Sequence, residues 1–327
     1  RRSPTALDPS PARQPCWGAA MTPLRVGLIA DVQHADIANA PSPYGATRYY
    51  RDAVNKARLA AEDWAEQGCT FAVNLGDTVD RRSGADASAA LARVMQAFSA
   101  FSPVLHVPGN HDLSALPRGE AAALSPCLGL GGLEAVAGGP CYCDVRIGPG
   151  WRALIIDTYD VAVRRDAAPA RAMLERLRAE ARARGEHAAY LAEHEELNGA
   201  VGDEQLAWLR ERLQAASESC ERVVVLGHAS LHPEATIYGD AVCWNCHKVS
   251  SLLDGYSHVV AAVITGHDHR GLEAASPKGV YHRVLEAAME GLPGVPTHAM
   301  LELEGDTIRL VGRGQVQSWE RTLPPLA

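Results

Sequence analysis

The chain has 327 residues, 47% hydrophobic and 21% charged, which suits an ordinary globular protein with room for one large domain or two smaller ones. A net charge of −8 argues against a general nucleic-acid binder, which would present a basic face. No apolar run approaches the roughly 20 residues that cross a bilayer, so neither a nucleic-acid nor a membrane partner is expected.

Residues 1–22 open on "RRSPTALDPSPARQPCWGAA", rich in Pro, Ser, Ala and Arg and without periodicity, and are expected to form a disordered extension. From 23 to 327 a single α/β domain is expected. Six short apolar runs, each closing in polar residues, read as buried strands: "LRVGLIAD", "FAVNLGD", "VLHVPGNHD", "ALIIDTYD", "RVVVLGH" and "VVAAVITGH". Between them, helices are expected over 47–68, ending at Gly68, over 87–101, and from Asp203, read as an N-cap with Gln205 near capping-box position. The segment 166–185 reads as a solvated helix inside an insertion around 161–200. "AMLELEGDTIRLVGRG" reads as two strands about the turn "EGD".

Each strand run ends in groups able to hold a metal or move a proton. In order they are Asp31 and Gln33; Asp77 and Asp80; Asn110, His111 and Asp112; Asp157; His228; and His267 and His269. The carboxyl ends of strands are where α/β sheets place their ligands. One strand-end aspartate is more often a cap or turn former; six consecutive strand ends favour a shared site. Asp, Asn, Gln and His are hard to borderline donors with no thiolate. Two ions about 3.5–4 Å apart suit such a set, clamping both oxygens of an in-line displacement at phosphorus.

Plainer readings apply elsewhere. Asp80 and Asp112 suit turns or support for a ligand, and Asp157 suits a strand cap. His34, His106, His232, His247, His258 and His282 have no motif spacing, though His232 lies close to His228 along the chain. The eight cysteines read as thiols in a reducing compartment, with a metal or disulfide staple joining Cys141/Cys143 to Cys243/Cys246 as a minor alternative.

The series "DVQ…GDTVD…GNHD…GH…GHDH" resembles the five-block signature of the calcineurin-like metallophosphoesterases, with Gln33 standing where most members have histidine. "GLIADVQHAD", "RYYRDAV", "NGAVGDEQLAWL", "CWNCHKVSSLL", "AVITGHDHRG", "GVYHRVLEA" and "IRLVGRGQV" together resemble the manganese-dependent ADP-ribose/CDP-alcohol diphosphatases, which also carry D-x-Q, the Arg-Tyr-Tyr-Arg run and the closing G-R-G. The resemblance implies a four-layer α/β/β/α sandwich of two mixed sheets and two divalent ions, manganese preferred and magnesium an alternative. It implies Asp31, Gln33 and His269 on one ion, Asn110, His228 and His267 on the other, and Asp77 bridging both. His111 is expected to donate a proton or contact phosphate. Arg48 and Arg51 are expected to neutralise a diphosphate, and an aromatic among 44–50 to stack on the base.

The expected reaction is hydrolysis of the phosphoanhydride of nucleoside diphosphate compounds, such as ADP-ribose or CDP-choline, by a hydroxide held between the ions, releasing a nucleoside monophosphate. A phosphomonoesterase, protein phosphatase or cyclic-nucleotide phosphodiesterase on the same site is the alternative. A non-catalytic scaffold ranks below both. A monomer in the cytoplasm is expected, with organellar targeting as the alternative.

Overall fold

All six apolar runs form strands, because β-branched and aliphatic residues on both faces leave them no solvated side. The computed structural model describes residues 23–185, 191, 195–237 and 240–326; the extension expected over 1–22 and part of the insertion expected around 161–200 lie outside the described residues. The strands are β1 (Leu24–Ile29), β2 (Ala40–Pro41), β3 (Thr47–Arg48), β4 (Phe71–Asn74), β5 (Val104–His106), β6 (Ala135–Ala137), β7 (Cys143–Gly148), β8 (Trp151–Ile155), β9 (Arg222–Leu226), β10 (Val260–Thr265), β11 (Glu273–Ala275), β12 (Tyr281–Val284), β13 (Thr297–Glu304), β14 (Thr307–Gly314) and β15 (Trp319–Thr322). The helices are α1 (Ala53–Glu66), α2 (Ala87–Ala97), α3 (Asn110–Ala115), α4 (Arg118–Ala121), α5 (Ala167–Ala183), α6 (Asp203–Glu218) and α7 (Cys246–Asp254).

Two mixed sheets result. One runs β15-β14-β13-β1-β4-β5, with β1, β4 and β5 parallel. The other runs β11-β12-β10-β9-β8-β7-β6, with β12, β10, β9 and β8 parallel. One core cluster joins residues of both sheets, among them Val26, Phe71 and Leu301 from the first and Val145, Val224 and Ile264 from the second, so the sheets pack face to face. A second cluster packs α5, α6 and α7 on the outer face of the second sheet, and a third packs α1 and α2 on the first. The molecule is therefore the expected four-layer α/β/β/α sandwich.

Three helix readings need correction. α1 begins at Ala53 and not at 47, because 47–48 pair as a strand with 40–41 and the Tyr49 N–H is held by the Met289 carbonyl. α2 ends at Ala97, and a single 3-10 turn carries the chain on. Asp203 is inside α6, where its charge suits the positive end of the helix, and Gly202 is the N-cap. Gln205 is no capping-box residue; it accepts from the Asp157 N–H and donates to the Asp157 carbonyl. The helix expected over 166–185 is α5, capped by Asp166, and it buries Ala170, Leu174, Leu177 and Ala181 on one face. The turn "EGD" joins β13 to β14 as expected.

Candidate metal centre

The parallel strands of both sheets end at one place. Asp31 follows β1, Asp77 follows β4, Asn110 follows β5, His228 follows β9, and His267 and His269 follow β10. The loops are stitched together by backbone. The N–H groups of Asp31, Gln33 and His34 donate to the carbonyls of Gly76, Asp77 and Thr78 at 3.1, 2.8 and 3.1 Å, and the Gly266 N–H donates to the His228 carbonyl at 2.9 Å.

This stitching requires unusual backbone. Asp31, Gln33, Asp77, His267 and His269 all have positive φ, between 40° and 74°, and Cys220 alone shares that property among the other described non-glycine residues. Each such residue costs on the order of 1–3 kcal/mol, a strain that concentrates where geometry matters more than stability. Close approach has a similar origin. A Cβ on Gly109 would lie 2.0 Å from Asp77 Oδ1, and one on Gly76, itself at φ +106°, would lie 2.5 Å from His228 Nδ1. The glycines of "GD" and "GN" are thus spaces for site side chains of neighbouring blocks.

The side chains form one buried cluster. Asp77, His228 and His267 bring ligand atoms within 4.8 Å of one another. His228 Nε2 is 3.4 Å from Asp77 Oδ2, and His269 Nε2 is 3.3 Å from Asp31 Oδ1. The amide nitrogen of Gln33 lies 2.9 Å from His269 Nε2, 3.1 Å from Asp77 Oδ2 and 3.4 Å from Asp31 Oδ1. Asn110 joins through Tyr159, whose hydroxyl is 3.5 Å from Asn110 Oδ1 and whose ring centroid is 5.8 Å from His228 and 6.3 Å from His267.

Burial works against every charge here, and the partners decide the outcome. Burial raises Asp31 and Asp77, yet His269 and His228 respectively hold them below the usual carboxylate range. Burial lowers the histidines, yet the carboxylates lift His228 to about 9 and His269 to about 10. His267, buried beside His228, is pushed down to about 3. Protons therefore balance the buried carboxylates, and a cation entering the cluster would displace them and take the ring nitrogens as ligands.

The donor set fits divalent ions. The buried His228 Nε2 and Gln33 Oε1 have no hydrogen-bond partner. Rotating the Gln33 amide by half a turn exchanges its nitrogen for Oε1 at the point where Asp31, Asp77 and His269 converge. Oxygens and imidazole nitrogens, without thiolate, suit manganese or magnesium.

The remaining candidates fall into two groups. His111, second in α3, has Nδ1 3.0 Å from Asp80 and 3.2 Å from the Arg81 N–H, so Asp80 supports a site residue. Asp112 accepts from the Gly109 and Val79 N–H groups and locks the Asn110 turn to the Asp77 loop. Arg48 lies against Glu290 at 3.2 Å, and Tyr44 donates to the same carboxylate. Arg51 instead pairs with Asp36 at 2.6 Å, both groups more than half exposed. Asp157 pairs with Arg165 at 2.7 Å and accepts from the Tyr159 N–H, as a structural carboxylate does. His34 Nδ1 turns to the Tyr50 carbonyl. No disulfide links the seven described cysteines, so the pairs at 141/143 and 243/246 form no disulfide staple.

Glu290 lies outside every stretch quoted above; Asn198 opens "NGAVGDEQLAWL" and Tyr159 falls in "ALIIDTYD", but nothing in either stretch singles the residue out. Asn198 Oδ1 is 3.0 Å from His267 Nε2, and Glu290 Oε1 is 2.9 Å from His269 Nδ1. A buried acceptor behind a metal-facing histidine is the usual arrangement, but neither residue lies near its histidine in sequence.

Comparison with known proteins agrees with this geometry. The profile of the calcineurin-like phosphoesterases matches residues 24–271. A manganese-dependent ADP-ribose/CDP-alcohol diphosphatase of Arabidopsis thaliana is 34% identical over 320 residues, covering 94% of this chain and 98% of that protein. One of the same name from Oryza sativa subsp. japonica is 32% identical over 310 residues, covering 91% and 94%. The crystal structure of a dimetal phosphatase from Danio rerio superposes with a TM-score of 0.76 at 26% identity, covering 93% of this chain and 100% of that one.

Proposed function

This chain belongs to the calcineurin-like phosphoesterase family, in its manganese-dependent ADP-ribose/CDP-alcohol diphosphatase branch, and we propose that it hydrolyses the phosphoanhydride bond of nucleoside diphosphate compounds. The observation that carries this reading is the convergence of donors from five strand-end loops, five of them on left-handed backbone, in one buried cluster. We assign Asp31, Gln33 and His269 to one ion, Asn110, His228 and His267 to the other, and Asp77 to both. Two such ions, when bound, polarise the phosphoryl group and bring the pKa of a water near neutral.

The chain's own residues supply the rest. Asp77 Oδ1 accepts the His111 N–H at 2.8 Å while Oδ2 faces His228 and Gln33, so its two oxygens have different duties. His111 is anchored at Nδ1 by Asp80, and a proton for the leaving phosphate oxygen would come from Nε2. Arg48, already beside the cluster through Glu290, is the better placed of the two arginines to meet a diphosphate; Arg51 faces Asp36 at the surface. Among the described residues no helix is long and apolar enough to cross a membrane, and seven described cysteines outside any disulfide are in keeping with a reducing compartment such as the cytoplasm.

A panel of ADP-ribose, CDP-choline, other nucleoside diphosphate conjugates and a phosphomonoester, each assayed with manganese and with magnesium, tests the reading. AMP or CMP released from the conjugates, in preference to phosphate from the monoester, is expected. Phosphate release from the monoester alone would reassign the site to a monoesterase.

A further inference from the structure

Three histidines reach the cluster, and each commits its other ring nitrogen to a fixed acceptor. His228 Nδ1 is 2.8 Å from the Leu75 carbonyl and His267 Nε2 is 3.0 Å from Asn198 Oδ1, both neutral acceptors. His269 Nδ1 is different, since its acceptor at 2.9 Å is the Glu290 carboxylate. That oxygen also accepts the Tyr44 hydroxyl at 2.5 Å and lies 3.2 Å from Arg48 Nε. Tyr44 stands in the turn of the β2–β3 hairpin and Arg48 is in β3, so one buried oxygen joins a site histidine to two hairpin residues.

The backbone around Glu290 is equally committed. The N–H groups of Ala287, Ala288 and Met289 donate to the carbonyls of His269, Ala30 and Asp31, at 3.0, 2.9 and 3.1 Å. The Tyr49 N–H, one residue beyond β3, donates to the Met289 carbonyl at 2.8 Å. The segment before Glu290 therefore clamps two site loops and the hairpin at once.

We infer that Glu290 is a positioning residue: it holds His269 with Nε2 toward the cluster and ties that histidine to the β2–β3 hairpin, so that ion binding on the His269 side depends on the hairpin. This rests on the dimetal reading above. A carboxylate accepting from Nδ1–H leaves the Nε2 lone pair for an ion and strengthens it as a ligand. Glutamine at 290 would keep the size but replace a charged acceptor by a neutral one, weakening its hold on His269, Tyr44 and Arg48 together.

Titration calorimetry of Mn2+ into the chelator-stripped full chain tests this, with the thermal midpoint of the ion-free protein as folding control. Wild type should take up two ions. Glu290→Gln should weaken one step roughly 10–100-fold, the usual cost of removing such a partner, and leave the other step and the midpoint unchanged. Tyr44→Phe, which keeps the His269–Glu290 contact, should weaken the same step by a smaller factor. In a His269→Ala background, Glu290→Gln should not alter the remaining step. Wild-type affinity for both ions in Glu290→Gln, or equal weakening of both with a lowered midpoint, would overturn the positioning role. No effect of Tyr44→Phe would overturn the link to the hairpin. Uptake of fewer than two ions by the wild type would overturn the dimetal reading and this inference with it.

Discussion

A neutral amide at Gln33 sits among two carboxylates and an imidazole, on backbone at φ 40° that few residues tolerate. Its oxygen is a harder and weaker donor than imidazole, so as the proposed ligand it would favour manganese over zinc and would hold its ion more loosely. Histidine also tolerates left-handed backbone, so Gln33→His should fold. It should tighten one Mn2+ step by about tenfold, about 1.4 kcal/mol, and raise zinc-supported turnover relative to manganese. Calorimetry and a metal panel check this, and an unchanged metal profile would refute the role given to the amide. Gln33 and the other six proposed ligands could be singled out because each is embedded in a short local pattern, such as "GDTVD" or "GHDH". Glu290 was not, because what makes it important is the return of the chain from β12 past Asp31 and His269, which no local pattern encodes. Asp80 was read as support for a ligand or a turn residue; Oδ1 caps the following turn by accepting the Arg82 N–H, and Oδ2 lies 3.0 Å from His111 Nδ1.

The strand–loop element is the unit of construction. Buried parallel strands aim their loops at one point, and tight backbone at each loop start brings the donors within reach. Gly109 is the most exacting of these positions, because a methyl group there would meet both the Asp77 carboxylate and the Asp77 backbone nitrogen, at 2.0 and 2.5 Å. Gly109→Ala should therefore displace Asp77 and cost roughly 10²-fold in kcat, as misplacement by about 1 Å does, with far-UV circular dichroism unchanged. Wild-type kinetics in that variant would show that the close approach has no functional weight. Six buried strands were legible from their continuous apolar runs, whereas the buried strands β7 and β12 were not, because polar residues interrupt "CDVRIG" and "YHRV". The edge strands β6, β11 and β15 were not either, since their side chains are mixed; strand pairing places them, and Ala135 and Trp319 add packing against the core. Strand β3 was read as helix start because "TRYYRDAV" continues smoothly into the alanine-rich face of α1; its strand character comes from pairing with 40–41, with the neighbouring Tyr49 held by Met289.

At the scale of the molecule, two sheets packed face to face bring the carboxyl ends of both sets of parallel strands to one buried cluster. Neither sheet alone carries a complete donor set: the first contributes Asp31, Gln33, Asp77 and Asn110, and the second contributes His228, His267 and His269. The α/β layering was legible from the alternation of apolar runs and amphipathic stretches, whereas the pairing of the two sheets followed from the family resemblance and not from periodicity. The central claim is that ions held by this shared cluster perform the hydrolysis. The most direct measurement is AMP release from ADP-ribose by chelator-treated protein, before and after adding manganese, zinc or calcium, for wild type and Asp77→Asn. The account predicts that chelation removes activity, that manganese restores it better than zinc or calcium, and that folded Asp77→Asn releases no AMP with any ion. AMP release by the chelated wild type, or by Asp77→Asn with manganese, would contradict it.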